Sequence, residues 1–318
     1  MSCIYKGEVI ESELSKNARG GTEMMRDRLY GYINPDYLSK VAVHFSRPRQ
    51  VYDDVPNILY CHDLAEDPEN AILAEGGWTK FAHIVFVSCW QRDQYITRFG
   101  IPYSRCSVIY NAVEKEPVVK DYTKIDTIRF IYHTTPHRGL ELLIPVFEEL
   151  CKNHNNIQLD VYSSFSIYGW NQRDAEYNDC FDRVKAHPKM NYHGAVSNEE
   201  VLKALDDSHV FLYPNTWKET SCIALIEAMK SQVICIHPDF GALPETAASG
   251  TIMYPYTENI QKHANMAYTV SDFLIKNIRK DYEFFPKTVN TERYKNPKNS
   301  IASFATMWDA LLANLLSE

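Results

Sequence analysis

Two glutamates in the second half of the chain have the type and the spacing to bind two parts of one polar ligand. Glu219 and Glu227 lie eight residues apart, across the start of an apolar segment with helical periodicity. On one helix they would be about 12 Å apart along the axis and about 80° apart around it. Thr220 or Ser221 is predicted to cap this helix. The unpaired N–H groups at a helix start suit a phosphate between the two carboxylates.

The same spacing also fits an ordinary amphipathic helix, with one glutamate near the cap and the other exposed to solvent. A short apolar run at 210–213 precedes the helix and ends at Pro214, as a buried strand would. Spacing alone therefore leaves a structural and a ligand-binding interpretation open.

Two other loops contain groups that favour anions. Gly20 and Gly21 precede a predicted helix, where a backbone without side chains can approach a ligand closely. Arg138 and Gly139 follow a predicted strand at 128–132, and the forked guanidinium of an arginine matches a phosphate. The alternative interpretations are a tight turn for the glycines and a surface position for the arginine.

A histidine and an aspartate at the end of another predicted strand suit proton transfer. His62 and Asp63 follow the apolar run 57–61, which places them at the carboxyl end of a strand, where open α/β sheets bind ligands. An imidazole beside a carboxylate could assist deprotonation of a hydroxyl or orient it. Alternatively, the two side chains make structural hydrogen bonds within their loop.

Length and composition restrict the class of protein. With 318 residues the chain exceeds the size at which a single core usually stops growing, which predicts two domains. The formal net charge of -8 argues against nucleic acid as a partner. No apolar run approaches the ~18 residues that span a membrane, and the N-terminus lacks a signal-peptide pattern. We therefore expect a cytoplasmic protein with no transmembrane segment. This composition is compatible with peripheral membrane contact.

The cysteines and histidines show no ligand or disulfide pattern. The eight cysteines are scattered singly, without a C-x-x-C pair, and the 11 histidines lack the spacing of a metal site. We expect no metal site, no disulfide scaffold and no cofactor.

The order of predicted elements indicates the fold class. Short apolar runs alternate with segments of helical length, which predicts βα units and largely parallel α/β sheets. The predicted strands are residues 41–45, 57–61, 83–87, 106–110, 128–132, 157–162, 210–213 and 233–236. A polar, proline-containing segment at 114–124 predicts a linker, so we place one domain at 1–115 and a second at 116–297. Residues 298–318 carry a helical apolar stripe and are predicted to form a docked helix.

Together, these motifs resemble the retaining GT-B glycosyltransferases, specifically glycosyltransferase family 4. The elements that carry the resemblance occur in the family's order over nearly the whole chain. They are Gly20-Gly21-Thr22-Glu23, Val87-Ser88-Cys89-Trp90-Gln91 with Val108-Ile109-Tyr110-Asn111-Ala112-Val113, Arg138-Gly139-Leu140, and the pair Glu219 and Glu227. The resemblance implies two Rossmann-like domains with parallel sheets that face a cleft. The first would bind the acceptor, the second would bind the donor, and the last helix would cross back to the first.

The resemblance also implies roles for the residues. Glu219 is expected to contact the transferred sugar, and Glu227 the ribose of a nucleotide. The expected donor-binding set combines a glycine loop, a cation and a helix start: Gly20, Gly21, Arg138, Thr220, Ser221, Cys222 and Glu227. The expected catalytic set is His62, Asp63 and Glu219, with the histidine near the reacting centre.

The chain departs from the family pattern at the diphosphate. Many relatives carry a lysine before the glycine and a separate arginine upstream. Here Arg138 fills the first position, and His133 or Thr134 lies near the second. These substitutions leave open how the diphosphate is neutralised.

The reaction that the resemblance implies is a metal-independent transfer, with retention, of a sugar from a nucleotide diphosphate sugar. The acceptor would be a glycan, a lipid-linked group or another hydroxyl compound. The chain lacks the Asp-x-Asp pair with which another transferase fold holds a metal on the diphosphate. Two alternatives stay open: a nucleotide-sugar epimerase of the same fold, and a non-catalytic module that binds a glycan or nucleotide.

Overall fold

The computed structural model describes residues 2–11, 19–116, 118, 120–248, 250–279 and 297–317. The chain divides into two compact units. The first unit comprises Met1–Glu114, Glu219–Ile223 and Pro297–Glu318. The second comprises Lys115–Lys218 and Ala224–Asn296. No helix among these described residues is long and apolar enough to cross a membrane.

The first unit is built on a six-stranded sheet with the order β2-β1-β3-β4-β5-β6. Its strands are β1 (Ser2–Tyr5), β2 (Glu8–Glu11), β3 (Ala42–Phe45), β4 (Asn57–Cys61), β5 (His83–Phe86) and β6 (Cys106–Val108). Strands β3 to β6 are parallel, whereas β1 pairs antiparallel with both β2 and β3. The described helices are α1 (Gly21–Tyr32), α2 (Pro35–Leu38), α3 (Cys89–Phe99) and α10 (Ile301–Ser317), with 3-10 segments at Pro68–Lys80, Tyr103–Arg105 and Pro297–Asn299.

Within the predicted segment 298–318, residues Ile301–Ser317 form helix α10, which belongs to the first unit. Its buried side chains Phe304, Trp308 and Leu312 recur at intervals of four residues, as one face of a helix requires. The ring of Trp308 lies 5.0 Å from that of Tyr60 in β4. Burial of this apolar stripe holds the C-terminal helix on the same core as the first sheet.

The second unit is built on a six-stranded parallel sheet with the order β12-β11-β10-β7-β8-β9. Its strands are β7 (Ile128–Tyr132), β8 (Ile157–Val161), β9 (Met190–Tyr192), β10 (Val210–Leu212), β11 (Ile234–Pro238) and β12 (Ile252–Tyr254). Its described helices are α4 (Leu140–Asn153), α5 (Asn178–Ala186), α6 (Asn198–Asp207), α8 (Leu243–Ala247) and α9 (Ile260–Asn277), with 3-10 segments at Tyr122–Lys124, Pro136–Arg138, Phe165–Tyr168 and Asn171–Tyr177. Helix α7 (Ile223–Lys230) begins with the last residue of the segment grouped with the first unit.

Every strand predicted from an apolar run is present, so the predicted α/β class is confirmed. Strands β9 and β12 were not predicted, and only one residue of each is buried, so neither contains a continuous buried apolar run. Strands β1 and β2 were not predicted either, and β2 is largely exposed, so it lacks the apolar run on which the prediction depends.

Candidate functional site

The centre of the second sheet is a topological switch point. The chain proceeds from β7 to β8 on one side and later places β10 on the other side of β7. In open parallel sheets, ligands bind beyond the carboxyl ends of the strands at such a point. The loops that leave β7 and β10 there contain Arg138 and the residues that lead to Glu219. The topology therefore predicts a ligand site at the same loops in which the sequence motifs occur.

Gly139 allows these two loops to touch at their backbones. Its φ is +111°, and a Cβ atom at this position would lie 2.2 Å from the carbonyl oxygen of Pro214. Only glycine combines this conformation with this approach. The loop after β7 and the loop after β10 are thereby fixed against each other.

Replacing Gly139 by alanine is expected to lower the free energy of unfolding by about 2–4 kcal/mol, from backbone strain and the clash with Pro214. Gly100 provides a matched control because its φ is +65° but a Cβ there would meet nothing within 4 Å. Gly100→Ala should therefore show only the strain component. Urea unfolding followed by circular dichroism measures both variants. Equal midpoints for the two would contradict the role given to the contact with Pro214.

Arg138 lies at the end of the 3-10 turn Pro136–Arg138 and is half-buried. Its Nε donates a hydrogen bond to Thr135 Oγ1 at 3.1 Å, which orients the guanidinium. The pKa of the neighbouring His137 is lowered to about 3, first by burial and then by the charges of Arg138 and Arg173. The His137 ring is therefore neutral at physiological pH, and positive charge in this loop resides on the guanidinium groups.

Glu227 is a buried carboxylate in α7, with 3% of the residue exposed. Asn198 Nδ2, at the start of α6, donates to Glu227 Oε1 at 2.8 Å. His133 Nε2 lies 4.0 Å from Glu227 Oε2 and 3.1 Å from the carbonyl oxygen of Ala224. Because a carbonyl can only accept, His133 Nε2 carries the proton. These contacts orient the carboxylate of Glu227 beside His133, the residue that follows β7.

His133 does not supply the positive charge that an arginine at its position would carry. Burial lowers the pKa of His133 to about 4, so the imidazole is neutral at pH 7. His133 therefore supplies no positive charge for a diphosphate, and the role of Arg138 in neutralising one stays a prediction.

His62 in the first unit is held through its backbone. Its N–H donates to Ser46 Oγ at 2.8 Å, and its carbonyl oxygen accepts from Thr220 Oγ1 at 2.8 Å. Its ring lies 4.2 Å from that of Tyr60. Burial lowers the pKa of His62 to about 3, and neither ring nitrogen has a hydrogen-bond partner among the described residues. His62 is therefore a neutral imidazole at a fixed position, and both of its ring nitrogens are buried.

The carboxylate of Asp63 is paired with the side chain of Arg47. Arg47 Nε donates to Asp63 Oδ2 at 2.8 Å, and Arg47 Nη2 donates to Oδ1 at 3.3 Å. Burial raises the pKa of Asp63, and the Arg47 charge opposes this. The carbonyl oxygen of Asp63 accepts from Gln91 Nε2 and from the Tyr95 hydroxyl. These contacts match the structural alternative for Asp63, and its catalytic role stays a prediction.

The segment Glu219–Ile223 packs with the first unit, although the predicted boundaries place it in the second domain. Ser88 Oγ donates to the carbonyl oxygen of Thr220 at 2.6 Å, and Thr220 in turn reaches His62. Glu219 is 5% exposed, and Ser221 and Cys222 are also buried. These long-range hydrogen bonds tie the segment to the carboxyl ends of β4 and β5.

The capping prediction for this helix is wrong. Helix α7 begins at Ile223, so Cys222 occupies the position before it, and neither Thr220 nor Ser221 does. The Thr220 hydroxyl instead donates to the carbonyl oxygen of His62. Glu219 therefore precedes the helix, in a segment without regular secondary structure, and only Glu227 lies on it.

The glycine pair lies at the start of α1, as predicted. The helix begins at Gly21, and the carboxylate of Glu23 accepts from the Gly20 N–H at 3.0 Å. A Cβ on Gly21 would lie 3.1 Å from Cδ1 of Ile223. The glycine thus permits the first turn of α1 to approach the start of α7 closely. Contact of Gly20 or Gly21 with a donor stays a prediction.

The orienting roles of several residues that shape the site were not predicted from the sequence. Asn198, Thr135, Ser46 and Ser88 each orient a predicted site residue through a hydrogen bond. For Asn198 a signal existed, because Ser197 and Glu200 form a capping box that marks the start of α6. Thr135 is only three residues from Arg138, so that contact is local. The contacts of Ser46 and Ser88 join residues 16 and 132 positions apart, which no local pattern reveals.

The two sheets, their switch point and the loops that carry the motifs define the GT-B class of fold, as solved structures show. The Anabaena Alr3699/HepE structure in complex with UDP and glucose has a TM-score of 0.63 and 12% identity, covering 95% of this chain and 83% of that one. The pneumococcal O-GlcNAc transferase GtfA, in complex with UDP and GlcNAc, has a TM-score of 0.61 and 10% identity, covering 83% and 53%. The predicted GT-B fold is confirmed.

Sequence comparisons identify the relatives more closely. Residues 114–267 match the family model described as glycosyl transferases group 1. A phosphatidylinositol N-acetylglucosaminyltransferase subunit of Arabidopsis thaliana is 23% identical over 224 residues, covering 69% of this chain and 46% of the relative. The gpi3 subunit of the same enzyme from Schizosaccharomyces pombe is 22% identical, covering 62% and 42%. The chain thus spans about half the length of these relatives. The predicted resemblance is confirmed, and the matches support a glycosyltransferase enzyme.

Proposed function

We propose that this chain transfers a sugar from a nucleotide diphosphate donor to a hydroxyl acceptor, with retention of the anomeric configuration and without a metal. The observation that carries this proposal is the arrangement at the switch point of the second unit. A buried, oriented carboxylate (Glu227) and an oriented guanidinium (Arg138) lie on elements that follow the adjacent strands β10 and β7. Both residues also fall within the segment that matches the family model.

The proposed donor site assigns one task to each group. Ribose hydroxyls donate to the Glu227 carboxylate, which Asn198 Nδ2 holds in place. The diphosphate lies at Arg138 and at the backbone of Ser221 and Cys222, ahead of α7. As the bond to the sugar breaks, negative charge grows on the diphosphate, and a positioned cation stabilises that charge. Glu219 contacts the transferred sugar.

We propose a uridine nucleotide as the donor, with N-acetylglucosamine as the first sugar to test. The HepE and GtfA structures are complexes with UDP, and the GtfA complex also contains GlcNAc. The curated relatives are named as N-acetylglucosaminyltransferases. The names of those relatives also make phosphatidylinositol the first acceptor to test. Action at the cytoplasmic face of a membrane would suit such an acceptor.

A thermal-shift screen of UDP, GDP and ADP sugars tests the donor directly. A ligand that binds only the folded state raises the apparent stability, by about 2.7 kcal/mol at a hundred times its Kd. We expect a UDP sugar to raise the melting temperature most and Glu227→Gln to abolish this increase. Glu149→Gln is the control, because Glu149 is a half-exposed residue on α4 that pairs with Lys152. A screen in which no nucleotide stabilises the wild type would contradict the proposal.

Transfer is expected to continue at the full rate in EDTA. In the proposed site a guanidinium and backbone N–H groups neutralise the diphosphate, so chelation removes nothing that the reaction needs. Product formation with and without EDTA, followed by added Mg²⁺ or Mn²⁺, measures this. Loss of activity in EDTA and its recovery with either ion would show that the proposed anion site is wrong.

A further inference from the structure

A strained turn in the first unit lies against the loop that carries His62. The turn consists of Ser46 and Arg47, directly after β3, and their φ values are +53° and +21°. Positive φ angles are uncommon in residues other than glycine and persist where the surrounding contacts fix the backbone. The contacts of these two residues show what the strained turn holds.

Ser46 binds the backbone of the loop after β4. Its N–H donates to the carbonyl oxygen of Tyr60 at 2.8 Å, and its hydroxyl oxygen accepts from the His62 N–H at 2.8 Å. Burial raises the pKa of the neighbouring Asp63, and a hydrogen bond from the Ser46 hydroxyl is among the contacts that oppose this. The buried Ser46 therefore fixes the backbone on both sides of Cys61, including that of His62.

Arg47 binds the same loop through charge. Its Nε donates to Asp63 Oδ2 at 2.8 Å, and its Nη2 donates to Asp67 Oδ2 at 2.6 Å. The side chains of Arg47, Asp63 and Asp67 are only 30%, 24% and 21% exposed. Without the guanidinium, two poorly solvated carboxylates would remain unpaired and would repel each other. The loop after β4 is therefore expected to keep its position only while Arg47 joins the two carboxylates.

His62 connects this loop to the segment Glu219–Ile223, which belongs to the same unit. Its carbonyl oxygen accepts from the hydroxyl of Thr220, the residue after Glu219. Its ring lies 4.2 Å from the ring of Tyr60 and 6.4 Å from that of Phe45. A shift of the loop after β4 would therefore displace His62 relative to Glu219.

We propose that Arg47 is a positioning residue that holds His62 beside the segment that carries Glu219. It acts through its ion pairs with Asp63 and Asp67, which together with Ser46 maintain the strained turn against the loop after β4. Arg47 acts on this loop and not on the substrate. The inference rests on the proposed function, because His62 and Glu219 are expected near the transferred sugar.

NMR titration of the full chain with labelled histidines measures the placement of His62 without requiring turnover. A His62→Gln variant identifies its signal among the 11 histidines. Because burial lowers the pKa of His62 to about 3, the wild-type ring should stay neutral from about pH 8 down to about pH 5. In Arg47→Gln the loop is expected to open and hydrate its carboxylates. The ring then becomes exposed and should titrate near its ordinary pKa of 6.5.

Transfer kinetics with the proposed donor and acceptor show whether this placement serves the reaction. We expect kcat of Arg47→Gln to fall about tenfold or more and KM for the donor to change less than about twofold, because misplacement of a reacting group affects the chemical step. Arg49→Gln is the matched control. Arg49 lies two residues further along the same loop and pairs with Glu69, and both side chains are exposed. This variant should leave kcat and the His62 signal unchanged.

The two measurements distinguish positioning from a contribution to folding alone. A residue that only stabilises the fold would lower the urea midpoint of Arg47→Gln and leave the His62 signal and kcat unchanged, which would overturn the inference. An exposed His62 with a wild-type kcat would overturn it too, since the placement would then not serve transfer. If the wild type transfers no sugar but His62 titrates near its ordinary pKa in Arg47→Gln, positioning by Arg47 stands and the proposed function fails.

Arg47→Lys keeps the test decisive if Arg47→Gln does not fold. A lysine retains the charge but loses the fork that joins Asp63 to Asp67, so we expect a smaller fall in kcat and partial exposure of His62. A wild-type His62 signal together with a wild-type kcat in Arg47→Lys would then assign Arg47 to folding alone and overturn the inference.

Discussion

Glu219→Gln is expected to lower the rate of sugar transfer at least about a thousandfold, which corresponds to about 4 kcal/mol of lost transition-state stabilisation. Positive charge develops on the sugar ring as its bond to the leaving group breaks, and a nearby carboxylate stabilises that charge where an amide does not. Glu219 is 5% exposed, so its side chain acts in a desolvated setting, where charge matters most. Glutamine has the same shape, so the fold is expected to stay intact.

Initial rates at saturating donor measure the loss, and calorimetric titration with UDP measures what remains. We expect UDP affinity to stay within about twofold of wild type, because the ribose contact belongs to Glu227. Glu149→Gln, on the outer side of α4, is the control and should transfer at the wild-type rate. A Glu219→Gln rate within tenfold of wild type would remove Glu219 from the reacting centre.

Arg138→Gln is expected to lower the turnover number by about a hundredfold to a thousandfold, the range typical of losing one preorganised group at a developing negative charge. The guanidinium is oriented by Thr135, and the buried imidazole of His133 nearby is neutral, so no charge from that histidine compensates. Burial keeps the pKa of His133 at about 4, below its ordinary value. The loss should therefore be constant between pH 6 and pH 8.

Arg138→Lys separates charge from geometry at the same position. The resemblance to the family implies that a lysine can fill this position, so this variant should recover most of the rate, within about tenfold of wild type. Arg183→Gln serves as the surface control, because Arg183 is an exposed residue of α5 that pairs with Glu148. Equal losses for Arg138→Gln and Arg138→Lys would indicate that the side chain supports the loop and does not stabilise charge.

Patterns of local origin were predicted well from the sequence. The run 128–132 forms β7 and the run 57–61 forms β4. A buried parallel strand consists of continuous apolar residues, and such a run is visible in the sequence. The switch point follows from the order in which strands pair, which is a property of the whole sheet. Its presence explains why the Arg138 loop and the segment before Glu219 come together.

Side-chain partners over long sequence distances were not predicted. Asp63 pairs with Arg47, whose φ of +21° places it in a loop conformation that no periodicity reveals. Thr220 donates to His62, a residue 158 positions away, so a local capping rule failed there. Arg173 lies in a polar segment without apolar periodicity, and only the packing on Phe165 shows which surface its charge adjoins.

The most direct test of the central claim is an NMR time course with UDP-GlcNAc labelled with ¹³C at the anomeric carbon, recorded with and without phosphatidylinositol. We expect UDP and a new glycoside with the donor's anomeric configuration to appear together, only with acceptor, and Glu227→Gln to form neither. Conversion of the donor to an epimer without acceptor, or an unchanged donor under conditions in which UDP binds, would contradict the proposed transfer.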